Sequence, residues 1–180
     1  MGKLTRTFTF DAAHRVMNEK AKCFNLHGHT FRIDVTFRYS EKSALGYAID
    51  FKEIKRLAGT WIDEKFDHAI LLNPLDEEVI ALCEKNSWRM YLMGLGEKDD
   101  VNPSAENIAS EVFYCLDYIF KENFDRTIVV ENIRLYETAS CWVDVDSADY
   151  EATDAVDVAL ATWAEKMGVE SYDIREDAKA

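Results

Sequence analysis

The chain reads as an α+β protein: a four-stranded antiparallel sheet with two helices packed on one face. Three observations predict this. Two runs, 4–14 and 27–39, alternate between apolar and polar residues. Two stretches, 51–65 and one opening at 102–104, carry apolar residues at helical spacing. Two further β-rich stretches, 127–138 and 140–146, follow them. Strand, strand, helix, helix, strand, strand is the order of a layered α+β domain.

Each element has its own signature. In the first run Leu4, Phe8, Phe10 and Ala12 share one parity, with Thr5, Thr7 and Thr9 on the other. In the second, Phe31, Ile33, Val35, Phe37 and Tyr39 alternate with Thr30, Arg32, Asp34, Thr36 and Arg38. Period-two alternation marks a strand with one buried face. The link 15–26 is polar, basic and longer than a hairpin needs, which suggests a functional loop. After a turn over 41–47 with Gly46, Asp50 reads as an N-cap and Glu53 as its capping-box partner. Phe51, Ile54, Leu57, Ala58, Trp61 and Ile62 then form a helical stripe. Residues 76–85 suit a short helix, 88–93 an extended piece and 94–100 a loop. Asn102-Pro103-Ser104 opens the next helix, with Pro103 in its first turn and Asn102 or Ser104 as cap. Ile108, Ala109, Val112, Phe113, Leu116, Ile119 and Phe120 form its stripe. The domain is expected to span 1–146. Residues 147–180 are expected to be an acidic extension, helical over 155–167 and loose after 168.

The stretch Cys23-Phe-Asn-Leu-His-Gly-His29 concentrates the chemistry. The chain has only four histidines, and two of them are here. Side chains two apart on a strand share a face, so His27 and His29 point together toward the core side. Gly28 between them permits a close backbone approach. His14 shares the parity of Phe8 and Phe10. Antiparallel pairing of the two runs brings it beside His27 and His29. Three neutral imidazoles with one open position is the ligand count of a catalytic zinc site. Closure of the fourth corner by Cys23 is the structural alternative.

The 180 residues carry a net charge of −13. That balance argues against nucleic acid or an anionic membrane as partner. An anionic substrate then needs a local positive pocket, for which Arg15, Lys20 and Lys22 are the candidates. The four cysteines are scattered and form no CxxC pair, so no disulfide framework is expected. Cys83 and Cys115 read as core fillers. No apolar run reaches membrane-spanning length and no signal-peptide pattern opens the chain, so a cytoplasmic location is the expectation.

Six stations carry a resemblance. They are Phe10-Asp-Ala-Ala-His14, Cys23 to His29, Tyr47-Ala-Ile-Asp-Phe51, Asp67-His68 with Leu72-Asn73, Asn102-Pro-Ser-Ala-Glu-Asn107 and Tyr136-Glu-Thr138. In these the chain resembles the 6-pyruvoyl-tetrahydropterin synthase family, which includes the 6-carboxy-tetrahydropterin synthases of queuosine biosynthesis. The resemblance implies the tunnelling fold. It also implies trimers or hexamers whose sheets close into a barrel, with active sites between subunits. It implies zinc on His14, His27 and His29, a proton-abstracting thiol at Cys23, and an acid–base pair at Asp67 and His68. Glu137 would anchor the pterin edge, with Ser104 and Glu106 near the ring, although Glu106 also suits a first-turn helix acid.

The implied substrate is 7,8-dihydroneopterin triphosphate. The implied reaction is lyase chemistry giving 6-carboxy-tetrahydropterin, acetaldehyde and triphosphate. Cys23 upstream of Leu-His-Gly-His and the Tyr-Ala-Ile-Asp-Phe station resemble the 6-carboxy enzymes. The alternatives are 6-pyruvoyl formation and, in another class, a non-catalytic zinc- or pterin-binding module. Against the short bacterial members the chain has extra residues between Asn73 and Asn102 and after Asp146.

Overall fold

The computed structural model describes residues 1–94 and 100–148. The expected helix at 155–167, the tail after it and most of the 94–100 loop lie outside the described residues. Strand β1 (Gly2–His14) pairs antiparallel with β2 (His27–Tyr39), in a register that sets His14 opposite His27 and Ala12 opposite His29. β5 (Ile128–Thr138) follows antiparallel on β2, and β6 (Cys141–Asp146) antiparallel on β5.

The sheet has six strands rather than four. β3 (Ala69–Leu72) joins the other edge of β1, parallel to it, and β4 (Met90–Leu92) continues parallel beyond β3. The order is β4-β3-β1-β2-β5-β6, so the sheet is mixed. Ala-Ile-Leu-Leu is a short continuous apolar run, and such a run has no period to distinguish strand from connection.

Helix α1 covers 51–65. Asp50 caps it by accepting from the Lys52 N–H at 2.8 Å, while the Glu53 carboxylate turns away to Arg56, so the capping box does not form. Its middle, Lys55–Gly59, widens into a π-turn. α2 (Glu77–Asn86) is the predicted short helix, capped by Asp76. In α3 (Ala105–Asn123) Ser104 is the cap, accepting from the Asn107 N–H, and Pro103 sits one residue before it rather than in the first turn. No helix among the described residues is long and apolar enough to cross a membrane.

α1 and α3 cover the face that carries Phe10, Phe31, Ile33, Val35 and Phe37. Phe37 meets Phe120 with ring centroids 4.4 Å apart, and Phe10 stacks on Phe31 at 5.0 Å. Truncating one such ring to Ala costs about 3–5 kcal/mol.

α2 departs from the two-helix, one-face expectation. Along β3, Ala69 and Leu71 belong to the main core, whereas Leu72 packs with Val79 and Cys83 of α2, and Ile70 against them. Alternation then places α2 on the opposite face of the sheet. Two buried carboxylates tie α3 to its neighbours. Asp117 accepts from the Val130 N–H and pairs with Lys121; Glu111 accepts from the Tyr91 hydroxyl and the Gly94 N–H.

Candidate active site and metal centre

The β1–β2 register builds the centre of the site. One ring nitrogen from each of His14, His27 and His29 lies within 4.8 Å of the others. The ring centroids are 4.5, 5.0 and 5.2 Å apart, and the Phe31 ring lies against both His14 and His29. Gly28 lets the strands come together here: a Cβ on it would stand 3.0 Å from the Ala12 carbonyl oxygen.

Two of the three rings are oriented by backbone carbonyls. His14 Nδ1 is 2.7 Å from the Pro103 oxygen, and His27 Nδ1 is 2.7 Å from the Asn25 oxygen. A carbonyl can only accept, so Nδ1 carries the proton in each and Nε2 keeps its lone pair. His14 Nε2 is buried and makes no hydrogen bond. Glu137 Oε1 stands 3.5 Å from it and 3.9 Å from His29 Nε2. Burial, reinforced by His27 and His29, pushes the His14 imidazole below its ordinary value despite the Pro103 carbonyl and Glu137. A neutral, buried imidazole with an orphaned lone pair is poor packing and a good metal ligand. The donor set fits zinc: three imidazole nitrogens, two of them on rings whose second nitrogen is held by a backbone carbonyl.

The other predicted residues divide around this centre. Glu137 comes to it, at a register shift where β5 meets β6. Cys23 is exposed on a short helical turn, Lys22–Phe24, and its sulfur is not part of the imidazole cluster. Ser104 spends its hydroxyl on the α3 cap, and Glu106 stands exposed in the first turn of that helix.

Asp67 and His68 form a pair, with Nδ1 2.7 Å from Asp67 Oδ2. The Asp11 N–H donates to Asp67 Oδ1 at 2.9 Å, and the His68 N–H donates to the Asp11 carbonyl at 2.7 Å. Burial works against the Asp67 charge, but the Asp11 N–H, His68 and Arg89 outweigh it and hold the carboxyl below the usual range. The His68 side chain is 75% exposed. It lines a shallow depression with Asp11, Ala13, Gly28 and Thr30, and Ala12 and His29 border the same depression. The Asp67–His68 pair thus stands outside the imidazole cluster, at the edge of β1, with His29 bordering the depression that holds His68.

Residues 3–148 match the model of the 6-pyruvoyl tetrahydropterin synthase family. The chain belongs to that family. It is an enzyme, a lyase of the tetrahydropterin synthase kind. The chain is 39% identical over 147 residues to the 6-carboxy-5,6,7,8-tetrahydropterin synthase of Rickettsia typhi, an alignment covering 81% of this chain and all of that one. It is 29% identical over 119 residues to the 6-pyruvoyl tetrahydrobiopterin synthase of Dictyostelium discoideum, covering 61% and 84% of the two chains. The solved 6-pyruvoyl tetrahydropterin synthase of Caenorhabditis elegans superposes with a TM-score of 0.55 at 20% identity, covering 81% of this chain and 95% of that one, which supports the shared fold.

This family member also holds contacts that sequence reasoning did not single out. Arg15, taken above as a candidate substrate cation, is committed elsewhere. Its guanidinium bonds both oxygens of buried Asp76 at 2.5 Å, reaches Glu78 at 3.3 Å and lies over the Phe24 ring at 5.2 Å. Val16 donates to the Cys23 carbonyl at 2.8 Å, and the Asn102 side chain accepts from the Met17 N–H at 2.8 Å. The loop bearing Cys23 is thus braced by the insertion, through Asp76, and by the Asn102 station. Only the unusual polar cluster Asn102-Pro103-Ser104 hinted at this. The Pro103 and Asn25 contacts are made by carbonyls, which no residue identity announces.

Proposed function

We propose that this chain converts 7,8-dihydroneopterin triphosphate into 6-carboxy-5,6,7,8-tetrahydropterin, releasing acetaldehyde and triphosphate. The observation that carries the reading is the convergence of three imidazoles, two fixed with Nε2 free, beside a carboxylate and an open side. His14, His27 and His29 would hold zinc. Zinc bound there supplies a Lewis acid for side-chain oxygens of the substrate.

The residues divide the remaining work. Glu137, acceptor-only when ionised, suits the paired N–H donors of a pterin edge and orients the ring. Cys23, on an exposed turn beside Lys22, is the base that removes a side-chain proton as its thiolate. His68, held by Asp67 in one orientation, passes protons as hydroxyls become carbonyls. Ser104 and Glu106 lie at the α3 N-terminus, whose first residues adjoin the Pro103 carbonyl behind His14, and are assigned to the ring's surroundings.

The pair lies outside the imidazole cluster and its imidazole is exposed, which supports a working form, a trimer or a hexamer, in which a neighbouring subunit supplies that pair. The 6-carboxy product is favoured over 6-pyruvoyl by the higher identity and fuller coverage of the rickettsial relatives. The test is incubation of the zinc-loaded protein with dihydroneopterin triphosphate and mass analysis of the pterin. A 6-carboxy pterin with acetaldehyde supports the reading. A 6-pyruvoyl pterin, or unchanged substrate, contradicts it.

A further inference from the structure

Asn102 bonds to both sides of the His14 imidazole's support. On the strand side, its Oδ1 accepts from the Met17 N–H at 2.8 Å and its Nδ2 donates to the Met17 carbonyl at 3.3 Å. A carboxamide has one accepting and one donating end, so it can hold both backbone groups of a single residue. The reversed amide would set an N–H against the Met17 N–H and lose the acceptor that Asn73 Nδ2 reaches at 3.2 Å. Met17 lies just beyond His14, where the chain has left β1.

On the other side, the Asn102 carbonyl accepts from Asn107 Nδ2 and from the Ser104 N–H, each at 2.8 Å. These bonds hold the residues before and after Pro103, whose ring fixes its own φ. The direction of the Pro103 carbonyl is thereby set, and its oxygen lies 2.7 Å from His14 Nδ1. Asn73, fully buried just after β3, anchors the arrangement by accepting from the Leu75 N–H and donating to Asp100. Asn102 also reaches the turn of Cys23, because Val16, next to Met17, donates to the Cys23 carbonyl at 2.8 Å.

We propose that Asn102 is the positioning residue of the metal centre. It fixes the His14 imidazole with Nδ1 on Pro103 and Nε2 left free, and it holds the Cys23 turn in register with that ring. The roles toward zinc and Cys23 rest on the function proposed above; the fixing of His14 does not.

The test uses the full chain in its native assembly, with zinc as probe in competition against a chromophoric chelator. Asn102→Ala is expected to weaken zinc about 10- to 100-fold, the usual worth of a group that orients a ligating imidazole. In protein with isotopically labelled histidine, nuclear magnetic resonance should show the His14 Nδ1 proton exchanging faster with solvent, and the His27 Nδ1 proton, held by Asn25, unchanged. Asn107→Ala removes only the bond to the Asn102 carbonyl. It should act in the same direction with a smaller effect, and it carries the test should Asn102→Ala fail to assemble. At saturating zinc, Asn102→Ala should also lose about tenfold in kcat with KM nearly kept. Asp76→Ala is the control, since it loosens the same loop and removes none of these bonds. It should lower stability and leave zinc affinity and the His14 proton as in wild type. Wild-type zinc affinity with an unchanged His14 proton in Asn102→Ala overturns the proposal. An equal loss of zinc in Asp76→Ala overturns it too, as general loosening. An unchanged kcat at full zinc overturns the link to Cys23. If the wild-type chain binds no zinc, the function proposed above fails, and the His14 proton alone decides whether Asn102 fixes the ring.

Discussion

Two regions at the end of β1 are built differently. On the helix-covered face, strand register brings three imidazoles together, and the Pro103 and Asn25 carbonyls fix two of them. His14 is 1% exposed there. At the strand edge, Asp67 and His68 hang from the backbone of Asp11, and the imidazole is open to solvent. The first arrangement is finished within one chain. The second is a rigid pair presented outward. The difference teaches that the imidazole cluster is completed by strand register within one chain, whereas the Asp67–His68 pair is presented outward.

Substitution of the imidazoles bears on this most heavily. His27→Ala, which removes a ligand from the half-buried side of the cluster, should lower zinc affinity by more than about hundredfold. Activity should vanish with the metal, measured as zinc content after gel filtration. His68→Ala should instead keep its zinc and lose about 10²- to 10⁴-fold in kcat, the usual worth of a positioned acid–base group. Mixing sharpens the contrast. Cys23→Ala and His68→Ala subunits, each inactive alone, should regain part of the wild-type rate when co-assembled, because some interfaces then carry both intact residues. No recovery in verified mixed oligomers would place both groups in one chain's site.

A smaller effect is expected at the brace. Asp76→Ala leaves Arg15 without its buried partner, and should cost about 3 kcal/mol in denaturant unfolding. Zinc content should stay unchanged while kcat falls about tenfold, since the loop of Cys23 loses its support. The smallest effect concerns pH. The folded chain holds the Asp67 carboxyl below its ordinary value, so its contribution to stability is complete above the unfolded value of 3.8. That contribution is lost as pH falls through the lower, folded value. Asp67→Asn should therefore flatten the acid limb of a stability–pH curve and leave it parallel to wild type near neutrality.

Much of the imidazole cluster was legible in the sequence. Alternation in 4–14 and 27–39 determined which side chains share a face, and antiparallel pairing was enough to carry His14 to His27. The strand edge beside it was less legible. Residues 69–72 are too short to show a period, so β3 went unread, and 90–92 was legible only as part of an extended piece over 88–93, with no sign that it joins the sheet or that α2 lies on the opposite face. Arg15 was read as a substrate cation because its charge is visible in sequence and its partner Asp76, 61 positions away, is not. Glu53 looked like a capping-box residue, but Arg56 one turn on is the competing partner and wins it.

The central claim is a zinc ion held by three imidazoles with room left for substrate. Zinc K-edge X-ray absorption on the purified, substrate-free protein tests it most directly. The account predicts a shell of nitrogen and oxygen only, with three imidazoles. A sulfur scatterer at about 2.3 Å would place Cys23 in the fourth corner, make the site structural, and contradict the account.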